Sequence, residues 1–558
     1  MSLDGLFAVL MRGGHYLILL LMAAYTVTAY SIFRQRRKSA RERLFVRQIY
    51  MMLGAHFLAY LTMFLKTMNT ELIVFYAAQL VYFLFVQLLF RNLYPKISKS
   101  LLNNMCMLMI TGFFMITRLS YDESVKQFRL ACLGTVLSLL IPVIVRKLHV
   151  LTRMTWAYVF VGIGLLGLVM VASRSVNGSK LTLTVAGFTF QPSEFVKIIF
   201  VFAVAGLLAG EHSLKRIILA TVLAAAHVGI LVISTDLGAA LIFFVTYLVM
   251  LFIATRNPFL VSIGVMAGAV AAVAAYFLFS HVRVRVQIWR DPFKDYAGSG
   301  YQICQSLFSI AAGGWFGTGL YQGSPGAIPY VEQDFMFSAI MEEMGGIFGI
   351  CLILTCLAVF IMFVNVAMKL ESRFYRLAAV GFGTTYATQV FLTIGGGTKL
   401  IPMTGVTLPL VSYGGSSMLS TLMMIAIVQG LYMLRSDEVK EEYETEKHSE
   451  TSGGRGLHAG QQPYAGQPYP GQQPYAGQPY PGQQPYAGQP YPGQQPYAGQ
   501  PYPGQQPYAG QPYSGGPYGE GTTGSSGRGR SGGGWRRPQE TVEKVSPHPQ
   551  RGPGKPVF

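Results

Sequence analysis

The sequence predicts an all-α polytopic membrane protein, and three observations carry that fold class. Apolar runs of about 18 or more residues recur from the N-terminus to Arg435. Charged residues make up only 12% of the 558, against about a quarter in soluble domains. The runs also lack the period-two alternation of a membrane barrel, so strands are not expected.

The apolar segments fall at 15–33, 48–66, 71–90, 101–118, 128–146, 155–173, 191–210, 217–235, 238–255, 258–280, 336–366, 376–396 and 408–434, which predicts about thirteen spans. The first run leads directly into further spans and shows no cleavage site. A net charge of +18 would suggest nucleic acid in a soluble chain. Here the basic residues sit in short loops or the tail, where they set topology and meet anionic lipid, so nucleic acid is not an expected partner. The five cysteines show no metal spacing and are read as small packing residues.

Orientation follows from the same basic residues. Arg34, Arg36, Arg37, Lys38, Arg41 and Arg43 crowd the first loop, which predicts a cytoplasmic loop and an N-terminus outside. Alternation then puts Lys96, Arg146, Lys215, Arg256 and the tail after Arg435 inside. It puts 281–335 outside, where Arg283, Arg285, Arg290 and Lys294 depart from the charge rule. An anionic ligand such as a pyrophosphate would suit those cations.

After about residue 436 a charged stretch precedes GQQPYAGQPYP repeats starting at Gly460, Gly471, Gly482, Gly493 and Gly504. Such a composition cannot bury a core, so 436–558 is expected to be a disordered cytoplasmic tail, either inert or a multivalent docking segment.

Ionisable residues in spans are costly, and only ten acids lie between Leu151 and Arg435. Glu194 and Lys197, in QPSEFVK, share one helical face, as an ion pair or as part of a site. Asp236, in STDLGAA, is a helix cap or a site residue. The span alternation puts these three and Asp334 at one membrane level, with Glu342 and Glu343 about two turns deeper as supporting residues. Residues 395–419 are too rich in glycine and proline for regular helix, and Lys399 there is a further phosphate ligand candidate.

QPSEFVK, DLGAA, GSGYQICQSLFSIAAGGWFGTGL, DFMFSAIMEEMGG and IPMTGVTLPLVSYGGSSM together resemble the SEDS family (FtsW, RodA and SpoVE) over about residues 101–435. The resemblance implies a ten-span catalytic core there, with 1–100 an additional region of about three spans. It implies a peptidoglycan glycosyltransferase that polymerises lipid II at the outer face of the bacterial cytoplasmic membrane, in elongation, division or sporulation. The expected partner is a class B penicillin-binding protein, alongside other elongation or division proteins. The family's essential aspartate corresponds to Asp334, its glutamate and lysine to Glu194 and Lys197, and its second aspartate to Asp236. Tyr330-Val331-Glu332-Gln333-Asp334, where Glu-x-His-Thr-Asp is commoner, and Ser234-Thr235, where Gln-Pro is common, depart from the family's pattern and leave the subfamily open.

On that basis Asp334 is the expected base for the acceptor hydroxyl, with Lys197, Arg283, Arg285 and Lys399 as candidate ligands of the leaving pyrophosphate. Glu194 and Asp236 would orient Lys197 or a metal. A divalent cation, Mg or Mn, is the one cofactor this chemistry leaves open, with Asp334 and Glu194 as candidate ligands. The rival readings are a lipid-precursor flippase and a non-catalytic division scaffold.

Overall fold

The computed structural model describes residues 3–147, 149–172, 183–185, 188–210 and 213–455. Five helices open the chain: α1 (Leu3–Arg34), α2 (Lys38–Thr67), α3 (Glu71–Leu93), α4 (Lys99–Leu119) and α5 (Tyr121–Lys147). Next come α6 (Thr155–Ala172), α7 (Pro192–Ala209), α8 (Leu214–Ile233), α9 (Leu237–Thr255) and α10 (Pro258–Leu278). The polar interruption holds α11 (Ser280–Arg290) and α12 (Tyr301–Gly313), before α13 (Met336–Ala367), α14 (Arg373–Gly397) and α15 (Gly415–Arg455). Twelve described helices are long and apolar enough to cross a membrane, and Thr155–Val171 is a shorter apolar helix. Every segment expected to span coincides with one of these thirteen, as a multi-pass membrane protein requires.

Two details differ from expectation. Leu183–Val185 pairs antiparallel with Phe188–Phe190, which adds a two-stranded sheet between α6 and α7 without changing the class. The last span starts at Gly415, not at 408. Leu410 and Gly405 sit at positive φ (66° and 74°), and Pro402 and Pro409 cannot donate backbone bonds, so 401–414 stays irregular. The repeats from Gly460 and the basic end lie outside the described residues.

The additional helices α1–α3 belong to the same compact unit as the core, which runs from Met1 to Pro463. Polar side chains join the two: Tyr25 Oη donates to Asn104 Oδ1 at 2.8 Å, Asn103 Nδ2 to Gln48 Oε1 at 2.9 Å, and Arg91 Nη2 to Asn103 Oδ1 at 3.0 Å. In lipid such bonds substitute for the hydrophobic effect as helix glue. Surrounded by α2, α5 and α13, the span of α4 is wholly buried, whereas α10 has none of its span buried. At one face, Asp437 accepts from both Lys96 Nζ and Arg146 Nε at 2.5 Å. Three regions that charge alternation assigned to one side of the membrane therefore meet.

Candidate active site

Asp334 stands two residues ahead of α13, where Gln333 N and Asp334 N both donate to the Tyr330 carbonyl (3.1 and 3.3 Å). Tyr330 adopts a positive φ of 56°, which turns the chain into the helix start. Asp334 lines a cavity of about 400 Å³ with Arg285, Trp289, Gln302, Tyr330 and Lys399. Its cations come from two directions. Arg285 and Trp289 are four apart on α11 and share a face. Lys399 follows the end of α14 in a left-handed conformation, φ 61°. Arg285 Nη1 donates to Thr404 O at 3.3 Å and Trp289 Nε1 to Lys399 O at 3.2 Å, which fastens α11 to the irregular segment. A Cβ on Gly405, whose φ is 74°, would stand 3.8 Å from Asp334 Oδ2 and 4.0 Å from Arg285 Nη2. The bare Gly405 backbone thus faces both carboxylate and guanidinium and lines the same cavity.

Burial pushes the Asp334 carboxyl up to about 6, with Glu332 adding to the rise and Arg285 opposing it. Among the described residues its side chain forms no hydrogen bond or ion pair, so both oxygens remain free for a ligand.

The other scarce charges are held in hydrogen bonds of their own, outside this cavity's lining. Lys197 Nζ donates to Glu194 Oε2 at 2.7 Å and to Gln389 Oε1 at 2.6 Å, and Ser420 Oγ donates to the same Glu194 oxygen at 3.0 Å. Gln389 Nε2 in turn donates to Thr407 O and Ser417 Oγ (3.1 and 3.2 Å). Asp236 caps α9 by accepting from Ala239 N at 3.0 Å, and it also accepts from Ser193 Oγ at 3.0 Å. Two residues on, a Cβ at Gly238 would stand 2.5 Å from Val406 Cγ2 and 3.1 Å from Thr404 O. The Asp-Leu-Gly motif therefore caps a helix and admits the 404–406 segment, which carries Gly405 to Asp334. Gln389 and Gly238 both meet that segment.

Of the residues the sequence singled out, Asp334, Arg285 and Lys399 share the cavity. Arg283, two residues from Arg285, projects from another side of α11 and is exposed. Lys197 is buried in its ion pair and is not among the cavity's lining residues. Sequence reasoning did not find Trp289, Gln302, Tyr330, Gln389 or Ser420. The signal for Gln389 was available, an amide in the middle of an apolar helix.

Glu342 and Glu343 serve a break in α13. Gly345 is non-helical (φ 81°, ψ 173°), so the helical bonds from Gly346 N to Glu342 O and from Ile347 N to Glu343 O are lost. Residues 314–319 replace them. Thr318 N and Gly319 N donate to Glu342 O and Glu343 O, both at 2.9 Å, while Gly346 N and Ile347 N donate to Gly314 O and Trp315 O (2.9 and 3.1 Å). The side chains reinforce this strap. Glu343 Oε1 accepts from Arg118 Nε (2.9 Å) and Tyr321 N (3.2 Å), and Glu342 Oε1 accepts from Ser324 N (2.5 Å).

Among the described residues no three His, Cys, Asp or Glu side chains sit together as a metal site. Glu194 Oε2 accepts from Lys197 and Ser420.

The model of the family FTSW_RODA_SPOVE, described as cell cycle protein, matches residues 97–436. "Peptidoglycan glycosyltransferase RodA" of Mycobacterium tuberculosis (strain ATCC 25618 / H37Rv) is 40% identical over 289 residues, 48% of this chain. This chain spans only 62% of that relative's length. "Probable peptidoglycan glycosyltransferase FtsW" of Aliivibrio salmonicida is 32% identical over 343 residues, 57% of this chain and 84% of that one. A solved chain from "Structural coordination of polymerization and crosslinking by a peptidoglycan synthase complex" superposes with a TM-score of 0.53 at 26% identity, covering 61% of this chain and 98% of its own. The chain belongs to the FTSW_RODA_SPOVE family of cell cycle proteins, the SEDS family.

Proposed function

We infer that this protein is an inverting peptidoglycan glycosyltransferase that polymerises lipid II. The observation that carries the reading is Asp334, an unpartnered carboxylate with a pKa of about 6, sharing a cavity with Arg285 and Lys399. In the reaction an acceptor sugar hydroxyl attacks the anomeric carbon of a polyprenyl-pyrophosphate donor. The new C–O bond forms as the bond to the pyrophosphate oxygen breaks, and attack opposite the leaving group inverts the anomeric centre. Asp334 takes the hydroxyl proton, a role suited to a base titrating near the working pH. Arg285 and Lys399 neutralise the departing pyrophosphate. Lys197, Glu194 and Asp236 support the site through Gln389 and the 404–407 segment. A Mg or Mn ion would draw on Asp334 and on donor oxygens.

In this reading the cavity faces the outside of a bacterial cytoplasmic membrane, with the N-terminus outside and the tail cytoplasmic. A class B penicillin-binding protein is the fitting partner, because the related solved chain comes from a peptidoglycan synthase complex that coordinates polymerization and crosslinking. The flippase alternative is disfavoured by placement. Asp334, Arg285 and Lys399 all lie beyond the ends of spans, whereas a transporter binds near the midplane. The test is lipid II polymerisation by the protein purified with its partner, wild type against Asp334→Asn. Polymerisation at the wild-type rate by the variant would refute the assignment.

A further inference from the structure

Helices α1–α3 precede the family match, so their work is not explained by membership. Four side chains of α1 reach across to the strap and to α13. His15 Nε2 donates to the Phe316 carbonyl at 2.6 Å, and the neighbouring Tyr16 meets the Phe316 ring edge-on at 6.3 Å. Tyr30 Oη donates to Leu354 O at 3.0 Å, and Thr26 Oγ1 reaches Cys351 O at 3.5 Å. Residues 15, 26 and 30 are about three and four turns apart, hence on one face of α1. That face spans the break at Gly345, since Phe316 belongs to the strap that replaces the lost bonds and Cys351 and Leu354 lie beyond it.

The strap leads directly toward Asp334 along the chain. Its end is held at Gly323 O by Arg118 Nη2 (3.2 Å) and at Ser324 N by Glu342, ten residues before Asp334. The other side of Asp334 is the first turn of α13, whose break follows a few turns later. Both approaches to the carboxylate therefore depend on the strap lying where it does. The strap has little stiffness of its own, because Gly314, Gly317 and Gly319 all take positive φ (52°, 81° and 106°).

We propose that α1 is a splint for the active site, with His15 as a positioning residue that holds the 314–324 strap against the α13 break and thereby fixes Asp334. His15 touches no reacting atom. Its proton sits on Nε2 to donate to the Phe316 carbonyl, and a side-chain amide at the same place could do the same.

The test uses the full chain with its partner and compares wild type, His15→Ala, His15→Gln and Tyr30→Phe. Hydrogen exchange across 314–324 reads the strap directly, without reference to activity. His15→Ala should raise exchange there about five-fold and lower lipid II turnover by about as much, with KM and melting temperature close to wild type. His15→Gln should recover both, and Tyr30→Phe should loosen the strap more weakly. The turnover measurement rests on the polymerase reading, whereas the exchange measurement does not. A wild type that makes no polymer overturns that reading alone, and exchange then decides the splint. Unchanged exchange in His15→Ala overturns the proposal, as does failure of His15→Gln to recover it.

Discussion

Two groups of charges in this bundle are treated in opposite ways. Around Glu194 and Lys197 every charge has a partner: the ion pair is buried and extended by Gln389 and Ser420. Around Asp334 the carboxylate faces open space, with Arg285 and Lys399 on the same cavity wall but unpaired to it. Scarcity of charge marks both groups equally. Their difference is satisfaction, and it separates residues that shape the site from those left free to act.

Removing the unpartnered carboxylate should have the largest effect. Asp334→Asn is expected to cut polymerisation about 10³- to 10⁴-fold in a lipid II assay while leaving the fold intact. Because burial raises this carboxyl from 3.8 to about 6, ionising it disfavours the folded state as pH rises through that value. The same substitution should therefore melt no lower than wild type at about pH 8. Breaking the closed pair should do the reverse. Lys197→Ala leaves Glu194 buried and uncompensated, a loss of about 3–5 kcal/mol seen in thermal unfolding, and Glu194→Gln combined with Lys197→Met should regain much of it. If Lys197→Ala instead raises KM with stability unchanged, Lys197 is a ligand and the division of labour drawn here fails.

A smaller effect is expected from Arg285→Gln, about 10²-fold in kcat/KM. Its pH profile is the sharper measure. Wild-type rate should fall as pH drops through about 6, since the base must be ionised, and the variant's midpoint should move upward because the cation opposing the rise is gone. Gly345→Ala forces a side chain into φ 81° with its Cβ 2.2 Å from Gly317 N, and should cost about 1–3 kcal/mol in unfolding. Truncation after Arg455 should leave the polymerisation rate at the wild-type value, which would also rule out the tail as a catalytic part.

The spans were legible because a helix in lipid must be long, apolar and internally hydrogen-bonded. Hydropathy and charge alternation also set depth, which brought Asp334, Glu194, Lys197 and Asp236 to one level. Depth does not give direction around a helix axis. Arg283 and Arg285 stood equal until α11 was seen to be helical, and residues two apart on a helix point apart. Lys197 was indistinguishable from Lys399 for the same reason. The strap was unreadable because its bonds join backbone groups of 314–319 to those of 342–347, and backbone carries no sequence signal. Only its glycines hinted at it.

The full burial of α4 bears on how this protein is made. That helix carries Asn103, Asn104, Thr111, Thr117 and Arg118, polar groups poorly suited to waiting in lipid for partners. Helices α1–α3 leave the ribosome before it and already present Tyr25, Gln48, Tyr60 and Arg91 to receive its Asn103, Asn104 and Thr117. The N-terminal helices are thus also an assembly seat, ready before the first family helix enters the bilayer.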